Sequence, residues 1–171
     1  VENFALLAGL DAAVRGSVIS VMPLAVYDAL GNAASVSRAY FIAGIVSLIW
    51  GLMVPWFTRH IPRRWMYSAG CALYLIGMVL AITGSALAVQ AALICLAMAT
   101  ATTFVCFSSY VLDYVPRAEL GRSQTMNMLF AGAPWAIGPM MGVWLRQVWQ
   151  PLPFIVVSCL ALALLAAFWM L

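Results

Sequence analysis

The sequence has no lysine, one histidine and only five acidic residues, and charged residues make up 8% of its 171 positions. A soluble domain carries about 25% charged residues, because it must clothe its surface with polar groups unless lipid does the solvating. The shortage excludes a soluble enzyme or binding module, and it leaves no basic stripe for nucleic acid. With His60 as the one histidine, there is no HExxH pair and no evident base at membrane depth to activate a serine. Cys71, Cys95, Cys106 and Cys159 stand far apart, without the short spacings of a metal or redox site, and read as small packing residues. No metal and no cofactor is expected.

What is present is apolar: 66% of the residues are hydrophobic and the mean hydropathy is +1.05. About 20 apolar residues cross the hydrocarbon core as a helix. That ruler predicts an all-α, polytopic membrane protein forming one bundle over 1–171, with six spans: Asn3 to Leu30, Ser35 to Thr58, Trp65 to Gly84, Ala88 to Tyr114, Ser123 to Val148 and Leu152 to Leu171. Gly31-Asn32, Pro62, Gly84-Ser85, Pro116 and Pro151 punctuate them. Connections this short make consecutive helices antiparallel. Glu2 stands where a signal peptide would carry its basic region, so no cleaved leader is read here. Val1 and Leu171 both fall inside apolar runs, so the expectation is a fragment, or one separately encoded half, of a larger protein.

All the cations are arginines. Arg59, Arg63 and Arg64 fall in the second connection and Arg117 and Arg122 in the fourth, against Arg38 and Arg146 on the other side. The positive-inside rule then makes the even-numbered connections and both termini cytoplasmic. The expected location is a bacterial inner (plasma) membrane, with lipid as the solvent of the outer faces.

Two places inside the spans carry polar chemistry. Asp11 and Arg15 lie four residues apart in the first helix, on one face and near mid-span. An unpaired charge there costs at least about 2.5 to 3.5 kcal/mol, so the pair must face the bundle interior or a wet cavity. It is either a self-neutralised packing pair or a substrate and proton site, and the second is preferred. In the fourth helix Thr102, Thr103, Cys106, Ser109, Tyr110 and Asp113 recur at three- and four-residue steps as one polar stripe. The stripe could line a pathway, or its hydroxyls could bond their own backbone. In the fifth helix Pro134 and Pro139 bend a segment in which Gly138 and Gly142 let another backbone approach closely.

These features together resemble the N-terminal six-helix half of a major facilitator superfamily transporter. That family places G-x-x-x-D-R-x-G/P-R-R between its second and third helices; here Pro62-Arg63-Arg64 match its end, with Pro55 at the leading glycine and Arg59 at the aspartate. Its fifth-helix signature G-x-x-x-G-P-x-x-G-G is kept at Gly138, Pro139 and Gly142, with Pro134 and Val143 at the outer glycines; it is commonest in antiporters. Asp113 followed by Gly121-Arg122 is similar to the family's acidic helix end and Gly-Arg turn.

The resemblance implies two three-helix inverted repeats, an absent C-terminal half, and a secondary transporter moving a small solute by alternating access, by proton coupling or antiport. It implies that the first and fourth helices line the central cavity, which puts Asp11, Arg15, Thr102, Thr103, Ser109 and Tyr110 on the substrate side. It also implies a cytoplasmic gate built from Arg59, Arg63, Arg64, Arg117 and Arg122. Asp113 would supply the carboxylate that the basic segment lacks, with Glu119 a weaker candidate. The rival readings are a non-transporting membrane scaffold and an intramembrane enzyme.

Overall fold

The computed structural model describes residues 2–170, with side chains from Phe4 onward. It contains six long helices: α1 (Glu2–Leu30), α2 (Ala33–His60), α3 (Arg63–Ile82), α4 (Ala86–Tyr114), α5 (Leu120–Val148) and α6 (Leu152–Met170). A single 3-10 turn, Arg117–Glu119, leads into α5. All six are long and apolar enough to cross a membrane, as the apolar runs predict.

The ends of the helices differ from the predicted ones. α2 begins at Ala33 and runs on to His60, α3 opens at Arg63, and α5 opens at Leu120. Only Ile61 and Pro62 separate α2 from α3, so Arg59, Arg63 and Arg64 sit on helix ends and not in a loop. The apolar ruler counts hydrocarbon thickness, whereas an arginine snorkels its head to the interface while its backbone stays helical. Arg59 and His60 occupy the last turn of α2, where a cation suits the negative end of the helix dipole.

Local chemistry explains the breaks. Gly31 (φ 64°) and Gly84 (φ 69°) take the left-handed conformation that a side chain opposes, and each ends a helix. The Gly31 N–H donates to the Tyr27 carbonyl at 2.8 Å. Asn32 then caps α2, its side-chain oxygen accepting from the Ala34 N–H at 2.9 Å.

The chain packs as two compact units, one of Val1–Val21 with Phe107–Leu171, the other of Met22–Cys106. In the second unit α4 lies against both α2 and α3. Ser47 Oγ donates to the Ala97 carbonyl and Trp50 Nε1 donates to Thr102 Oγ1 at 2.8 Å, so residue numbers on α2 and α4 rise together and the two helices are parallel. On α3, Gly70 faces Thr102 and Thr103 while Gly77 faces Ala92 and Leu96, an antiparallel pair. Tyr74 joins the same seam, its hydroxyl 3.1 Å from Thr100 Oγ1. Tyr67, Tyr74, Met78 and Val89 are fully buried there.

In the first unit α1 and α5 are parallel: Gly9 faces Phe130, Gly16 faces Pro134, and Ser17, Ser20 and Val21 surround Gly142. α6 packs on α5 and reaches α4 through Phe168, whose ring meets the edge of Tyr110 at 5.5 Å. Parallel α1–α5 and α2–α4 pairs, with α3 antiparallel to α4, fit a chain that reverses direction at every connection.

Candidate functional site

Asp11 and Arg15 form an ion pair inside α1, with Arg15 Nη2 2.8 Å from Asp11 Oδ2. Their side chains keep only 20% and 17% of their surface exposed, at a depth where removing one partner strands the other at a cost of about 3 kcal/mol or more. The pair shares a helix face with Phe4, seven residues before Asp11 and hence two turns away. Phe4 packs edge-on against Phe107 of α4 at 6.3 Å.

The face of α1 that carries Gly9 and Gly16 is turned toward α5, and there the two backbones nearly touch. A β-carbon built on Gly16 would lie 2.7 Å from the Pro134 carbonyl oxygen. Built on Gly138 it would lie 2.7 Å from the Gly16 carbonyl carbon, and on Gly142 2.7 Å from the Ser17 carbonyl oxygen. Ser20 Oγ donates to the Pro139 carbonyl at 2.9 Å, adding a polar tie to the seam. Pro134 has no N–H for the Phe130 carbonyl four residues earlier, and that oxygen lies 3.3 Å from where a Gly9 β-carbon would sit, against a Cα–H that serves as a weak donor.

The stripe on α4 does not act as one surface. Thr102 and Thr103 are each 1% exposed. Thr102 Oγ1 donates to the Met98 carbonyl at 2.8 Å and accepts from Trp50, while Thr103 Oγ1 reaches the Thr100 carbonyl at 3.3 Å. Their methyl groups lie 3.3 and 3.0 Å from a β-carbon built on Gly70. Both are spent on packing between α4, α2 and α3. Ser109 and Tyr110 are half-buried and belong to the same unit as Asp11 and Arg15. Tyr110 lies between Tyr114, at 5.9 Å, and Phe168.

The basic residues of the expected gate sit at or beside helix ends: Arg59 lies in the last turn of α2, Arg63 and Arg64 open α3, Arg117 lies in the 3-10 turn and Arg122 in the first turn of α5. Asp113 is exposed one residue before the end of α4. His60 Nδ1 donates to the Trp56 carbonyl at 3.2 Å and its ring lies 5.0 Å from that indole.

Sequence reasoning passed over Ser123 and Asn127. They lie one turn apart on the stripe of α5 that continues through Phe130, Pro134, Gly138 and Gly142, at 0% and 6% exposure. Ser123 Oγ and Asn127 Oδ1 have no hydrogen-bond partner among the described residues. Thr58, Ser68, Thr125 and Ser158 each return their hydroxyl to a carbonyl one turn back; Ser123 does not. The signal was available as two polar residues at i, i+4 on the glycine-bearing face.

A family model described as Major Facilitator Superfamily matches residues 4–171. The chain belongs to that superfamily. Comparison with curated proteins and with solved structures gives no match. Membership makes this superfamily protein an integral membrane transporter, in a family whose members carry small solutes and are transporters, not enzymes. The helix pairing suits the superfamily's repeat plan: α2, the middle helix of the first triplet, packs on α3 and on α4, the first helix of the second. Likewise α5 packs on α6 and on α1.

Proposed function

We propose that the chain is one half of a secondary carrier that moves its solute by alternating access, with Asp11 and Arg15 as the polar site within the membrane. The observation that carries this reading is the ion pair itself: two charges at 2.8 Å, about four-fifths buried in a span, where an ionisable group is expensive and kept for a task. Arg15 offers forked donors to an anionic group of the solute. Asp11 can then surrender its share of that guanidinium, and its carboxylate is the candidate proton carrier for symport or antiport. Ser109 and Tyr110 are the residues of α4 assigned to the pathway; Thr102 and Thr103 are assigned to packing, because their hydroxyls are already engaged.

A second six-helix half completes the carrier in this reading. Its support is that the spans of α2 and α5 are each only 11% buried, against 28% to 44% for the others. A cytoplasmic latch in which Asp113 pairs with one of Arg59, Arg63 or Arg64 remains part of this reading, on the sequence pattern alone.

The test is solute flux into proteoliposomes holding the complete carrier. Asp11→Asn is expected to abolish uptake driven by a pH gradient while leaving solute exchange measurable, and Arg15→Ala is expected to raise the half-saturating solute concentration by at least about tenfold. Wild-type flux in both variants removes the site, and absence of flux across a broad solute panel favours the scaffold reading.

A further inference from the structure

We propose that the exposed basic end of the α2–α3 hairpin, with Arg59 and Arg64 flanked by Trp56 and Trp65, binds the phosphate headgroup of an anionic phospholipid. Arg59 and Arg64 are exposed, four residues past α2's last proline and two residues into α3, and neither has a carboxylate within ion-pair distance among the described residues. Arg63 is half-buried and has other interactions, so it is not counted.

Because only Ile61 and Pro62 join the helices, both guanidinium groups emerge where two spans end, at headgroup depth. Trp56 and Trp65 are 56% and 62% exposed beside them, and indoles with one apolar and one wet edge collect at that same depth. The Trp56 ring is held there by Phe57 at 5.1 Å and His60 at 5.0 Å. His60 gives its Nδ1 hydrogen to the Trp56 carbonyl at 3.2 Å.

The first turn of α3 holds two arginines and no acid, and its Pro62 cap supplies no side-chain bond. Cations at that positive end are disfavoured by the dipole, and a phosphate lying against the turn offsets them both. A soluble anion would answer the charge alone. A phospholipid answers the charge and the two exposed indoles together, which is why lipid is the occupant assigned. The inference does not depend on the transport reading or on which leaflet the hairpin faces.

Native mass spectrometry of the detergent-purified chain, titrated with phosphatidylglycerol or phosphatidylcholine, tests it. Phosphatidylglycerol is expected to bind preferentially, and Arg59→Gln with Arg64→Gln to weaken it about 30-fold, the loss for two arginines near a membrane surface. Arg117→Gln with Arg122→Gln, which removes equal charge from another helix end, is expected to leave it within about threefold. Equal losses in the two double variants, or equal binding of both lipids, overturn the site in favour of diffuse surface charge. Inorganic phosphate that competes at the lipid's own concentration overturns the lipid assignment. Helical circular dichroism checks folding. Should the glutamine pair not fold, Arg64→Gln alone is expected to cost about fivefold, and an unchanged affinity overturns the proposal.

Discussion

Gly16 and Gly138 show what a missing side chain can specify. Each would place a β-carbon 2.7 Å from the other helix's backbone, a separation that backbone atoms cannot accommodate without shifting. Gly138→Ala is therefore expected to destabilise the protein by about 1 to 3 kcal/mol, read as a lowered melting temperature in detergent. Gly132→Ala serves as the contrast, because nothing lies within 4 Å of its β-carbon position, and it is expected to leave melting unchanged or slightly raise it. If both substitutions act alike, close approach is not what the glycine provides. Thr102 and Thr103 carry the opposite lesson. Spacing alone put them on a polar stripe; which neighbour each hydroxyl met depended on α2 and α3, and only the fold supplies Trp50 and Gly70.

At the scale of the helix, existence was legible and termination was not. Long apolar runs announce spans because lipid leaves every face free to be apolar. Their ends turn on what arginine does at an interface, so α2 absorbed Arg59 and His60, and α5 gained Leu120 to Arg122. This changes the reading of the latch. Arg63 now stands at a helix N-terminus, where an aspartate would be better placed than an arginine. Asp113→Arg is expected to reduce flux through the complete carrier at least about fivefold, the low end of what a coupling between two states carries. Arg63→Asp in the same protein is expected to restore it. Failure of the reversed pair, with both variants correctly inserted, removes the Asp113–Arg63 pairing.

For the molecule as a whole, chain direction is the property that contacts fix best. The parallel α1–α5 and α2–α4 pairs agree with six crossings and five short reversals. The side of the membrane rests instead on where arginines fall. Single cysteines at Gln150 and Ala118, both exposed, separate the two orientations once the native cysteines are replaced. In spheroplasts a membrane-impermeant maleimide is expected to label Gln150→Cys at once and Ala118→Cys only after permeabilisation. The reverse pattern inverts the topology. The ion pair was legible down to its i, i+4 geometry because both partners lie on one helix; the Ser123 and Asn127 oxygens were not, since their burial depends on helices far along the chain.

Arg15 is the residue immediately before Gly16, and Gly16 is wedged against the Pro134–Gly138 turn of α5. The guanidinium is thus mounted beside one of the closest approaches of the seam, like a tooth on a shaft keyed to its neighbour. α1 cannot roll about its own axis to redirect Arg15 without dragging α5 along. Any reorientation of the charged pair is thereby geared to the helix that carries Pro134 and Pro139.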